Sequence, residues 1–148
     1  MRPPRWDRMP PIKAVMTPFP HAVDIGDPVS RAEAMMAEFG VHHLPVLDDG
    51  RIAGVIAVRD IRLAREPAAA RGRSDDRRVR DLCESDPYIV ELARPLDRVL
   101  VHMAGHNRDC ALVVKSGRLA GIFTLTDACR CYGELLRWLY PQDGGDAA

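Results

Sequence analysis

Gly117-Arg118-Leu119-Ala120-Gly121-Ile122-Phe123-Thr124-Leu125-Thr126-Asp127 is the second appearance of a pattern already used at Gly50-Arg51-Ile52-Ala53-Gly54-Val55-Ile56-Ala57-Val58-Arg59-Asp60. Working outward from that stretch, residues 12–64 align with residues 79–131 at a constant offset of 67 and without a gap. Twelve positions are identical in the two copies, among them Pro20/Pro87, Val23/Val90, Pro28/Pro95, Arg31/Arg98, Met36/Met103 and Val46/Val113. A repeat of this length is one supersecondary unit used twice. Two such units related by a twofold leave a cleft between them, with two similar places for a ligand.

The remaining bulk properties narrow the class. A chain of 148 residues with 47% hydrophobic content is globular, one domain or two small units sharing a core. The formal net charge is zero, so no overall basic field draws the chain to nucleic acid or to a membrane. The basic residues are 19 Arg and 2 Lys, a coding bias rather than a signal of a partner. Met1–Pro11 is rich in Arg and Pro with no apolar run behind it, which fits neither a signal peptide nor a membrane span. The expected location is the cytoplasm, with Cys83, Cys110, Cys129 and Cys131 as reduced thiols.

Each copy spells out the same order of elements. A short strand around His21–Val23 leads to Asp27-Pro28, where Asp27 is expected to cap a helix and Pro28 to open it. Val29, Ala32, Met35, Met36 and Phe39 recur at helical spacing, and Gly40 is placed to end that helix. Leu44–Leu47 reads as a strand, Asp49-Gly50 as a tight hairpin turn and Ile52–Ala57 as the return strand. Asp60 then begins a helix running to about Arg65. The division predicted from this pattern is a flexible arm over 1–11, with Trp6 docking on the body, and a first repeat over 12–65. A linker over 66–78, a second repeat with an extended final helix over 79–140 and a tail over 141–148 complete it.

The chemistry concentrates where the last strand of each copy meets its helix. Thr124, Thr126 and Asp127 put two hydroxyls and a carboxylate at a helix N-terminus, whose free N–H groups and partial positive charge suit phosphate. An aspartate beside such a site can accept both hydroxyls of a ribose. The same residue types also serve simply as helix caps. Gly121, inside the strand, allows another backbone or a ligand to come close.

The repeat, its element order and the Gly-x-x-Thr-x-x-Asp junction resemble a tandem pair of CBS (cystathionine β-synthase-type) domains, a Bateman module. Met16-Thr17 and His43-Leu44-Pro45-Val46 are similar to the family's habits. The opening Ile12–Thr17 and the ending Gly121-Ile122-Phe123-Thr124 resemble small stand-alone bacterial members. The resemblance covers residues 12–131. It implies an α+β fold, with two β-α-β-β-α repeats packed sheet to sheet around a pseudo-twofold axis. It also implies an adenine nucleotide (AMP, ADP or ATP) or S-adenosylmethionine as effector, with no tightly bound cofactor. A homodimer formed through the helices and an unidentified protein partner signalled to in trans follow from it as well. The family's hydroxyl and ribose-binding aspartate fall on Thr124 and Asp127, and a second hydroxyl on Thr126. In the first copy the aspartate is Asp60, the hydroxyl position is Ala57, and Arg59 stands where Thr126 does. The basic contact two residues before the middle strand falls on His42 in the first copy and on Asp109 in the second. The expectation is two unequal sites: a phosphate-friendly one with His42, Arg59 and Asp60, and one with a better sugar grip but a carboxylate that repels phosphate.

Two rival readings remain. His102 and His106 lie four apart on a helix, a spacing that metal ligation needs, and Cys129-x-Cys131 adds two thiols, so a metal or redox sensor on the same fold is one alternative. The two histidines nevertheless align with Met35 and Phe39 on the apolar stripe, which favours packing, and no residue is assigned to a metal. A ligand-free dimerisation scaffold is the other. No nucleophile elbow, phosphate-binding loop or dinucleotide fingerprint is present, so no catalytic residue is assigned and no enzymatic activity is expected.

Overall fold

The computed structural model describes residues 6–70 and 77–142. After a 3₁₀ turn at Ile12–Ala14, the chain forms β1 (Thr17–Pro18), β2 (Val23–Asp24), α1 (Val29–Phe39), β3 (His43–Asp48), β4 (Arg51–Ala57) and α2 (Val58–Ala70). The second half follows as α3 (Val79–Leu82), β5 (Ile89–Glu91), α4 (Leu96–Gly105), β6 (Cys110–Lys115), β7 (Arg118–Thr124) and α5 (Leu125–Leu139). One sheet has the order β2-β3-β4 and the other β1-β7-β6-β5. The fold is α+β with two sheets, as the family resemblance implied.

The copies match in detail. The β3–β4 and β6–β7 hairpins are antiparallel, while β2 and β5 run parallel to their neighbours β3 and β6. Both hairpins turn through two consecutive left-handed residues, Asp49-Gly50 (φ 50° and 77°) and Ser116-Gly117 (φ 51° and 76°), the twist that suits a two-residue hairpin. Both carry a register shift at the same place, Val46/Leu47 and Val113/Val114. Val29, Ala32 and Met36 of α1 are buried, and so are their counterparts Leu96, Val99 and Met103 of α4. Gly40 ends α1 at φ 63°, its N–H bonded to the Met36 carbonyl.

Side-chain alternation along β6 divides the interior. Ala111 and Val113 join the core beneath α4 with Phe123, whereas Cys110 and Leu112 join Ile122 and pack against Ile52, Val55 and Leu119 between the two sheets. β6 is therefore buried on both faces.

The opening segment of each copy is exchanged with the other. Ile12 is fully buried in the second copy's core, where Val15, Met16 and Trp6 pack beside it. Val79 is fully buried in the first copy's core, with Leu82 and Cys83 beside it. The backbone bonds mirror each other: Ile12 N–H donates to the Arg94 carbonyl (2.8 Å) and Val79 N–H to that of Asp27 (2.9 Å). β1 pairs with β7 through Thr17 and Ile122, and the related bridge joins Glu84 to Val55. The glycines at Gly54 and Gly121 are what let these segments cross the strands. A β-carbon at Gly54 would run into the Glu84 carbonyl, and one at Gly121 into the Met16 side chain.

This exchange explains a departure from expectation at α1. Asp27 does not cap the helix; Pro28 occupies the cap position without a side-chain bond. The first N–H of the helix, on Val29, already donates to the Arg77 carbonyl at 3.0 Å, and Leu96 of α4 likewise donates to Pro10 at 2.9 Å. Asp27 instead accepts from Asp24 N–H at 3.1 Å and pairs with Arg31 at 3.3 Å. α2 also runs past Arg65 to Ala70, as the helix-forming run Ala68-Ala69-Ala70 allows. Trp6 docks as expected, and Pro11 bridges to Pro95. The remaining expectations for the arm (1–5), the linker (71–76) and the tail (143–148) lie outside the described residues.

Candidate ligand-binding cleft

The start of α5 is locally over-determined. Thr124 is its N-cap, and its backbone N–H donates to Asp127 Oδ2 at 2.9 Å while its hydroxyl donates to the same oxygen at 3.1 Å. Asp127 N–H returns a bond to Thr124 Oγ1 at 3.4 Å, closing a capping box. The capping role and the candidate binding role thus fall on the same two residues. Asp127 is buried, and Arg130, one turn along, donates to its Oδ1 at 3.0 Å. Leu125 N–H is taken by the Asp109 carbonyl at 3.0 Å. Thr126, at the second helical position, is exposed, and among the described residues neither its N–H nor its hydroxyl has a partner, so both are open to a ligand.

Around this helix start lies a cleft of about 680 Å³, a size suited to a small-molecule ligand. It takes Thr124, Thr126, Asp127 and Arg130 from the second copy, His42, His43 and Arg59 from the first, and Thr17–His21 from the exchanged opening segment. Five of the six residues singled out from sequence therefore meet in one place: Thr124, Thr126, Asp127, Arg59 and His42. Asp60 is not among the residues lining it. It caps α2 instead, accepting from Ala57 N–H at 3.0 Å. The sequence pattern had divided these residues between two sites according to their copy. The packing of the copies regroups them, because it brings the start of α2 next to the start of α5.

The regrouping changes the electrostatics. Asp109 does not stand as an unopposed carboxylate: Arg59 donates to its Oδ2 at 2.8 Å, across 50 residues of sequence. Each guanidinium in the cleft thus has a carboxylate, Arg59 with Asp109 and Arg130 with Asp127. Both arginine side chains remain largely exposed and able to swing to a competing anion. His43 is half-buried, and desolvation lowers its pKa below the ordinary histidine value despite the opposing pull of Asp109.

Sequence reasoning missed Arg130, His43 and Phe19. Phe19 is 90% exposed at the rim and holds a left-handed φ of 46° between two prolines. Its neighbour His21 stacks on Phe39 at 3.6 Å. At the pseudo-equivalent place in the other half, Phe19 and Val41 are replaced by Asp86 and Arg108. There Arg108 donates to the Asp86 carbonyl at 2.7 Å and stands 3.6 Å from its carboxylate, tying together positions that are apolar in the open cleft.

The residues of the metal-sensor alternative do not converge. His102 stacks between Tyr88 and His106, each ring pair 4.0 Å apart, and His106 Nδ1 is engaged with the His102 carbonyl. Cys129 is exposed while Cys131 packs against the second core. Among the described residues no three His, Cys, Asp or Glu side chains group to hold a metal ion, and no helix is long and apolar enough to cross a membrane.

A tandem repeat with exchanged openings, two sheets and a cleft at a strand-to-helix Thr-x-x-Asp junction defines a class of paired modules. The chain belongs to the CBS domain family, whose model matches it twice, over residues 12–66 and 79–134. It is 33% identical over 117 residues to the uncharacterised protein MJ1404 of Methanocaldococcus jannaschii, a match spanning 77% of this chain and 26% of that one. The uncharacterised protein YlbB of Bacillus subtilis is 31% identical over 118 residues, 78% of each chain. Among solved structures, the CBS domain pair of protein MJ0100, in complex with 5′-methylthioadenosine and S-adenosyl-L-methionine, superposes with a TM-score of 0.72 at 22% identity. That match covers 85% of this chain and 98% of that chain.

Proposed function

We propose that this CBS pair is a non-catalytic regulatory module that binds an adenosine compound in the cleft at the start of α5. The observation that carries the reading is the convergence there of the open N–H and hydroxyl of Thr126 at a helix N-terminus, the buried Asp127 and the exposed guanidinium groups of Arg59 and Arg130. Thr126 N–H and the two arginines suit a phosphate or carboxylate, and Asp127 suits ribose hydroxyls once Arg130 swings away. That MJ0100 binds two adenosine-derived compounds supports the same ligand class. Arg108 and Asp86 tie together the pseudo-equivalent place, which supports a reading of one ligand per chain.

The ligand would touch both copies, and a difference in its affinity for two arrangements of them would shift their balance. Output passes in trans to a protein partner from a cytoplasmic homodimer. The surface for that dimer is α5, where Tyr132, Leu135, Leu136, Trp138 and Leu139 are exposed together. Calorimetric titration with AMP, ADP, ATP and S-adenosylmethionine tests the reading. Saturable binding of one of them at one per chain, weakened about tenfold or more by Thr126→Val together with Asp127→Asn, is expected. Binding of none at millimolar concentration overturns it.

A further inference from the structure

We propose that the groove between α1 and α2 is an anion subsite that extends the cleft, and that it receives the terminal phosphates of a nucleoside di- or triphosphate. This deepens the nucleotide reading above and rests on it. The groove encloses about 380 Å³ and is lined by Glu33, Met36, Val41, Ile61, Arg62 and Arg65 among others. It shares Gly40, Val41 and His42 with the cleft, so one short loop borders both spaces.

A row of guanidinium groups follows that path. Arg59 lines the cleft, and Arg62 and Arg65 line the groove, each three residues further along α2. At a rise of about 1.5 Å per residue the steps are ~4.5 Å, short enough for long side chains to hand on successive phosphate groups. His42 lines both spaces. Arg65 is held by Glu33. The Arg62 side chain makes no ion pair or hydrogen bond among the described residues, and the one carboxylate lining the groove, Glu33, is engaged by Arg65. The second copy has Thr126, Cys129 and Tyr132 at the corresponding positions. The row therefore exists only on the side of the molecule where the cleft is open.

The test is calorimetric titration of the full chain with AMP, ADP and ATP in metal-free buffer, with inorganic tripolyphosphate as a separate arm. Wild type, Arg62→Ala and Arg62→Lys are compared, with melting temperature and oligomeric mass measured for each. The expected result is ATP binding about tenfold more tightly than AMP in wild type. Arg62→Ala should remove that advantage while leaving AMP affinity unchanged, and Arg62→Lys should restore part of it. An unchanged ATP-to-AMP ratio in Arg62→Ala, or AMP binding as tightly as ATP in wild type, refutes the subsite. If Arg62→Ala alters the oligomeric mass and not the ratio, the groove is a contact between copies and the proposal falls. If nucleotides fail to bind but tripolyphosphate binds and is lost in Arg62→Ala, the anion subsite stands and the nucleoside reading fails. If nothing binds, both fail.

Discussion

Replacing Gly54 with alanine would drive a methyl group into the Glu84 carbonyl, inside contact distance of the oxygen and 3.2 Å from the carbon. Backbone cannot rotate away as a side-chain end can, so the segment carrying Glu84 must move. Two backbone bonds cross there, Val55 N–H to the Glu84 carbonyl at 3.0 Å and Glu84 N–H to the Val55 carbonyl at 2.8 Å. Losing both costs about 1–3 kcal/mol. The displaced segment also holds Val79, fully buried in the first core, and partial exposure of that side chain adds ~1 kcal/mol. The sum is about 2–4 kcal/mol, a fall in melting temperature of roughly 5–15 °C for a chain of this size. Gly121→Ala provides the internal control. Its nearest neighbour is the Met16 thioether, the far end of a side chain that can repack, with the Thr17 carbonyl 3.0 Å away. The expected cost is ~1–2 kcal/mol, typical of mild overpacking. Urea denaturation of both variants measures the difference. A Gly54→Ala protein as stable as Gly121→Ala would refute the claim that backbone crossing fixes this position.

Other consequences can be checked directly. The unfolded chain protonates His43 near pH 6.5, whereas the folded chain does so only at lower pH. Stability should therefore be complete above that value and decline as pH falls below it, and His43→Gln should flatten the decline in a melting-temperature profile. Burial pushes the Cys110 thiol up to about 12, so iodoacetamide at pH 8 should label exposed Cys129 and leave Cys110 untouched until the fold is opened with denaturant, as mass spectrometry would read. Labelling of Cys110 in the native protein would contradict its placement between the sheets. Asp109→Asn removes the partner of Arg59 and should tighten AMP binding several-fold; weaker binding would show that Asp109 holds Arg59 in place for the ligand rather than competing with it.

The order of elements, both turns and the helix stripes were legible because they are local. Asp49-Gly50 and Ser116-Gly117 need no tertiary information to be read as turns, nor does Gly40 as a helix end. The exchange of the opening segments was not legible, because an offset of 67 says which residues are equivalent and nothing about which copy they pack against. The failed cap at Asp27 is a result of that exchange: Arg77 of the crossing segment had already satisfied the Val29 N–H. At the cleft, residue types pointed to Thr124, Thr126 and Asp127, which the structure brings together in one lining. The pairing of Arg59 with Asp109 depends on how two helix starts face each other. Arg130 carried one usable signal, its position three residues after Asp127 on a helix, where a guanidinium can reach back to the carboxylate.

The crossed openings also bear on what a half of this chain would be. Cut between the copies, the first half would carry Ile12 with no core to enter and a core lacking Val79. Such a fragment can be completed only by another of its kind, each lending the other its first residues. A lone repeat is in that sense half of an obligate pair, and joining two in one polypeptide turns the exchange into an event within one molecule. Effective concentration, rather than any added contact, then holds the pair together at dilutions where separate halves would part. It also leaves each half free to vary alone, as Arg59 and Thr126 have done.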